Sequence, residues 1–193
     1  MGTRGRYLNH ILAAGILAMA FAGPATAQAS AAEIARPDIP RLLKELKSSD
    51  PSIWRKAQSD LLRAWSSSGS SAMDLLLERG RKALGADNTD AAIDHLTALI
   101  DHAPDFAEGY NMRAMAYYEA GLFGPALADL GHALQLNPHQ FGALAGLGMI
   151  LEDSGFDKKA LAAYKASAAI DPHQPSVNQA IARLTRKAEG EEI

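Results

Sequence analysis

Apolar residues in the second half of the chain follow a helical spacing. Leu144, Leu147 and Leu151 recur at intervals of three or four residues, which predicts the buried face of a helix. Glycine ends this helix, and a second apolar stripe then runs until Pro172, where proline stops it. The pattern predicts a helical hairpin.

This hairpin pattern occurs three times in phase. Pro104, Pro138 and Pro172 are each 34 residues apart. The small residues share this spacing: Gly80, Ala114 and Gly148, and Ala92, Ala126 and Ala160. A unit of this length cannot bury its apolar face alone and must stack on its neighbours. The chain is therefore predicted to be all-α, an α-solenoid of stacked antiparallel helix hairpins.

The repeated residues resemble the tetratricopeptide repeat, in which small, aromatic and proline positions recur at fixed offsets. The resemblance covers Met73–Gln174 within a repeat domain of residues 72–174, with units at about 73–106, 107–140 and 141–174. It implies that the α-solenoid is right-handed. Arginine replaces the usual leucine at Arg79 and Arg113. These arginines either pack their stems while their heads reach carboxylates, or they belong to a ligand site. The chain also resembles small exported repeat proteins of alphaproteobacterial type, which have no defined activity.

The first 29 residues have the pattern of a secretory signal. Arg4 and Arg6 precede an apolar run, and small residues follow it, so cleavage is expected after Ala27 or Ala29. The apolar run is too short to span a bilayer comfortably, so an uncleaved N-terminal anchor is the less favoured alternative. We therefore expect a periplasmic protein that is not inserted in the membrane once its signal is cleaved.

The flanks of the repeats are predicted to be helical as well. Residues 30–71 form an N-terminal helical hairpin and a serine-rich junction, in which Ser71 and Asp74 are typical of a capping box. Trp54 and Trp65 lie on one helix of this hairpin, and they either cover the open end of the stack or form a docking surface. Residues 175–193 are predicted to be a capping helix and a tail.

Composition narrows the possible functions. The chain has no cysteine, so disulfides are excluded. Loss of Arg4 and Arg6 with the signal takes the formal net charge from −3 to −5, which argues against nucleic acid as a partner. No nucleophile motif or phosphate-binding loop is present, so no enzyme activity and no cofactor are expected. His95, Asp101, His102 and Asp105 are a weak metal candidate, because histidines accompany the repeat loops generally.

The family resemblance implies a concave groove lined by the first helix of each hairpin. It places seven candidate partner-binding residues there: Leu77, Arg81, Asn111, Met115, Tyr118, Met149 and Glu152. Family members that clamp a terminal carboxylate use Lys and Asn at positions held here by Leu77, Arg81, Met112, Gly142 and Gly146. Only Arg81 could serve, so such a clamp is not expected. An ordinary solvated face is the simpler alternative.

The leading hypothesis is a non-enzymatic periplasmic adaptor that binds a peptide or helix of a protein partner in this groove. One alternative is a structural spacer that self-associates, as a homo-oligomer, through the Trp54 and Trp65 hairpin. Another is an accessory subunit of an envelope enzyme.

Overall fold

Turn residues divide the described part of the chain into helices. The structure, a computed structural model, describes residues 37–190, so the expected signal segment, residues 1–29, lies outside it. The described helices are α1 (Ile39–Glu45), α2 (Pro51–Trp65), α3 (Ser71–Leu84), α4 (Thr89–His102), α5 (Ala107–Glu119), α6 (Phe123–Leu136), α7 (Phe141–Asp153), α8 (Asp157–Ile170) and α9 (Pro175–Ala188). None of them combines the length and the apolar character needed to cross a membrane.

Left-handed residues sit at the turn inside each repeat. Gly121 and Gly155 have φ angles of 73° and 78°, a conformation that glycine adopts without steric cost. Asp87, one period earlier, takes the same role with φ 55°. Aspartate tolerates this conformation better than most residues do, so the first repeat keeps the turn without a glycine.

The helices stack in chain order from α3 to α9, and the first helices of adjacent repeats also touch, α3 with α5 and α5 with α7. Glycine allows the two helices of a hairpin to approach. A Cβ at Gly80 would lie 2.6 Å from Leu96, and one at Gly148 would lie 2.7 Å from the ring of Tyr164. The small residues of the repeat are therefore packing positions, as the sequence pattern indicates.

The N-terminal hairpin, α1 and α2, lies against the third repeat. Its buried residues Leu42, Leu46, Ala57 and Leu61 share a cluster with Phe141, the first residue of α7, while Ile170 of α8 packs at the margin. The two alternatives for the tryptophans were a cover for the open end of the stack and a docking surface, and the structure instead packs their hairpin against the third repeat. Residues far apart in the chain form this contact, and helical periodicity alone carries no information about it.

Polar and aromatic contacts fix the same hairpin. Trp54 stacks on His173 with ring centroids 4.3 Å apart, and Trp65 packs on Phe141 at 5.5 Å. Gln58 donates to Asp171 at 2.6 Å, and Asp171 is fully buried. Each end of α2 is thus tied to the third repeat or to the loop that follows it.

The serine-rich junction between α2 and α3 is an ordered turn. Asp74 accepts hydrogen bonds from the backbone N–H and the hydroxyl of Ser68, at 2.8 and 2.7 Å. The helix begins without a side-chain cap at Ser70. The aspartate of the expected capping box therefore pairs with Ser68 and not with Ser71.

Leu61→Ala tests the docking of the N-terminal hairpin. Leu61 is fully buried, so its truncation should cost about 2–4 kcal/mol of unfolding free energy and should speed amide exchange in α1 and α2. Leu62→Ala is the matched control, because Leu62 is 48% exposed, and it should change stability by less than about 0.5 kcal/mol. Equal exchange in the two variants would contradict the docked arrangement.

Gly148→Ala tests the close approach of α7 and α8. The added methyl group must displace the Tyr164 ring, which should cost about 1–3 kcal/mol in a urea unfolding experiment. Gly131→Ala is the control, since a Cβ there meets nothing within 4 Å and should stabilise α6 by about 0.5–1 kcal/mol. Equal stability of the two variants would contradict the packing described here.

Candidate partner-binding groove

The first helices α5 and α7, together with α9, border an open cavity of about 260 Å³ on the face of the stack. We call this cavity the groove. Its lining is mainly apolar and consists of Asn111, Ala114, Met115, Tyr118, Leu130, Gly142, Ala145, Gly146, Met149, Ile150, Tyr164, Ser176 and Val177. Apolar clefts with a few polar groups are the usual form of binding sites, so this is the candidate functional site.

Four of the seven sequence candidates line the groove: Asn111, Met115, Tyr118 and Met149. Asn111, Met115 and Tyr118 are three or four residues apart and share one face of α5, and Met149 lies on the neighbouring α7. Met115 is 41% exposed. Methionine side chains adapt their shape to different apolar partners, which suits them to a contact surface.

The other three candidates lie elsewhere. Leu77 is 1% exposed and packs in the core of the first repeat with Leu96 and Leu99, so the expectation that it lines the groove is corrected. Arg81 and Glu152 are absent from the lining and are held by other side chains. The groove positions implied by the family resemblance include residues at the edge of the helical face, such as Leu77, that are buried in the core.

A buried carboxylate organises one end of the groove. Glu108 is 9% exposed and accepts hydrogen bonds from Arg81 at 2.5 Å, Asn111 at 3.1 Å and Gln140 at 2.5 Å. Arg81 also donates to Ser66 at 2.8 Å, which joins the end of α2 to the cluster. Burial raises the pKa of Glu108, against the opposing effect of its hydrogen bonds to these partners. Sequence analysis assigned Arg81 to partner binding, but its guanidinium pairs with the buried carboxylate of Glu108 in the same chain.

Carboxylates and tyrosines stand at the opposite end of the groove. Tyr118 donates to Asp153 at 2.7 Å, and its ring stacks on Phe123. Glu152 accepts from Arg183 of α9 at 2.6 Å and from the Tyr164 hydroxyl at 3.1 Å. The hydrogen bond to Asp153 raises the pKa of Tyr118, so its hydroxyl stays a donor. This end is polar and mainly acidic.

The two arginines at the unusual repeat position differ in their surroundings. Arg113 donates to Asp129 at 2.7 and 2.8 Å and to Thr97 at 3.1 Å, and it lies near the rings of Tyr110 and Tyr117. It thus holds α5 to its neighbours α4 and α6. Arg79 is exposed. Neither lines the groove.

The contribution of α9 to the groove was missed at the sequence level. Ser176 and Val177 line the cavity, although α9 was expected only to cap the stack. A usable signal exists, because Ser176 follows Gly142 by one repeat period. In this respect α9 occupies the position of a first helix in an incomplete fourth repeat.

Within residues 37–190, no three side chains of the kinds that ligate metals are grouped to hold an ion.

Gly142 leaves a gap in the groove wall, since a Cβ there would meet nothing within 4 Å. A larger side chain at this position can therefore extend into the cavity without disturbing the fold.

Comparison with known proteins shows the family of this chain. The chain is 30% identical over 164 residues to a tetratricopeptide repeat-containing protein of Rhizobium etli, which covers 84% of this chain and 80% of that one. The chain belongs to the tetratricopeptide repeat family. No family model matches it.

Solved structures show the same fold. The tetratricopeptide domain of Sgt2 from Aspergillus fumigatus has a TM-score of 0.59 and 24% identity, covering 62% of this chain and 81% of that domain. The first such domain of Spaghetti (RPAP3), bound to an HSP90 peptide, has a TM-score of 0.58 and 22% identity, covering 61% and 93%.

Glu108→Gln tests the buried carboxylate. An acid with a raised pKa keeps its proton more readily in the folded state, so its contribution to stability falls as the pH rises above its usual pKa of 4.5. Glutamine does not titrate. The melting temperature of Glu108→Gln, relative to wild type in the same buffers, should therefore rise between about pH 4 and pH 7. A relative melting temperature that falls over this range would show that pairing with Arg81 outweighs burial.

Proposed function

We propose that this protein is an exported, non-enzymatic scaffold whose groove binds a segment of a partner protein. The observation that carries the proposal is the open, mainly apolar groove, with Met115 41% exposed beside Met149 and Tyr118. Exposed methionine and tyrosine supply adaptable contact area at protein interfaces.

The relatives support an interaction role in general terms. The RPAP3 domain is bound to an HSP90 peptide, and the second domain of the same protein has been solved with an HSP70 peptide. Segment binding is therefore a use to which this fold is put in proteins of similar structure. We extend it to this chain on the strength of its own groove.

The periplasm is the proposed compartment. The support is the pattern of residues 1–29, with a basic start, an apolar run and a small-residue cleavage site after Ala27 or Ala29. The partner would then be another protein of the cell envelope.

Self-association through the tryptophan hairpin has less support. Trp54 and Trp65 are both partly buried, and their rings pack on His173 and Phe141 of the same chain. A contact between two copies through these rings would first have to break the intramolecular packing. The groove, in contrast, is open.

In-cell photo-crosslinking tests the scaffold proposal. A crosslinking amino acid at Met115, in the groove, should capture a partner protein, and the same group at the exposed Lys165 of α8 should not. Gly142→Leu should abolish the capture, because the new side chain fills the cavity, while the circular dichroism spectrum and the melting temperature stay close to those of wild type.

Equal capture from Met115 and Lys165, or capture that survives Gly142→Leu, would refute a groove site. Crosslinked dimers of this chain alone would favour the self-associating spacer.

A further inference from the structure

We propose that the groove selects a cationic amphipathic segment, one that pairs an apolar face with Lys or Arg side chains. This inference rests on the proposed function and names the chemistry of the partner. It is argued from the charges around the groove.

The centre of the groove requires an apolar face. None of the side chains that line the described cavity is charged. Gly142, Ala145 and Gly146 form a low wall on α7, and an added Cβ at Gly146 would come no closer than 3.7 Å to Leu130. Large apolar side chains of a partner can therefore reach the floor between α5 and α7.

The end of the groove at Tyr118 presents exposed carboxylates. Glu119 follows Met115 by one helical turn, and Asp153 follows Met149 by one turn, so both continue the groove face. Both residues are exposed. Asp153 accepts the Tyr118 hydroxyl, a neutral donor, so its charge is not balanced by that contact. The neighbouring Glu152 is already paired with Arg183.

The helix ends add to this negative potential. Glu119 and Asp153 are the last residues of α5 and α7, where the aligned peptide dipoles give the helix a partial negative charge. Neither helix has a basic residue in its last turn, whereas α2, α3 and α9 each have one or more. Cations from a partner would therefore meet the Glu119 and Asp153 carboxylates at the C-terminal ends of α5 and α7.

The opposite end of the groove is unsuited to an acidic segment. The guanidinium of Arg81 is paired there with Glu108 and with Ser66. Asn111 donates to the same carboxylate. An acidic partner would have to compete with Glu108 for the Arg81 guanidinium, which disfavours it.

A pair of synthetic helical peptides tests the inference. Both carry the same leucine and alanine face; one has arginines beside it and the other has glutamates at the same positions. By fluorescence anisotropy at low salt, the arginine peptide should bind about tenfold more tightly than its twin. Gly142→Leu should abolish this binding, which places it in the groove.

Charge removal supplies the matched control. Glu119→Gln with Asp153→Asn should weaken binding of the arginine peptide about tenfold and keep an acceptor for Tyr118. Asp94→Asn with Asp101→Asn removes the same charge from exposed positions on α4 and should leave binding unchanged. Equal weakening by both pairs would show a non-specific attraction and would overturn the inference.

The two proposals can fail separately. One outcome would preserve the scaffold and overturn the cationic selectivity. In it, a partner is captured from Met115 and is lost in Gly142→Leu, but still binds after Glu119→Gln with Asp153→Asn. Absence of any groove-specific partner in cells would overturn the scaffold itself.

Discussion

The close approach of two helices within each repeat is the constraint on which the rest of the structure depends. Leu96 and the Tyr164 ring occupy the space that a Cβ would take at Gly80 and Gly148. In the second repeat Ala114 and Leu130 share the core cluster at the equivalent positions. Because the two helices of each hairpin pack closely, the hairpins stack so that the first helices of successive repeats touch, α3 with α5 and α5 with α7. These first helices form one continuous face.

Two buried polar arrangements then shape that face. Glu108 binds Arg81 of α3, Asn111 of α5 and Gln140 just before α7, and Arg81 in turn binds Ser66 at the end of α2. Asp171 holds Gln58 of the N-terminal hairpin. A buried carboxylate is stable only when donors satisfy it, so each arrangement fixes the relative positions of several segments. The groove between α5, α7 and α9 remains open, with its acidic end at the C-termini of α5 and α7.

Much of the fold could be predicted, because a period of 34 residues determines which helices pair, where the turns lie and which residues are small. Asn111, Met115, Tyr118 and Met149 were placed on one surface by the resemblance to the repeat family, and the structure finds them lining one cavity. The sequence did not show that Leu77 is buried while these residues line the groove, because its burial depends on how α3 packs against α4. The docking of Trp54 on His173 and the capture of Arg81 by Glu108 depend on contacts between distant parts of the chain, which periodicity does not encode.

Methyl NMR of methionine-labelled protein tests the central claim, a segment-binding groove, most directly. The described chain holds four methionines: Met115 and Met149 line the groove, while Met73 and Met112 pack against the core of the first repeat. On addition of the arginine peptide, the account predicts shifts of the Met115 and Met149 methyl signals and unmoved signals from Met73 and Met112. Uniform shifts of all four, or shifts confined to the first-repeat pair, would contradict it.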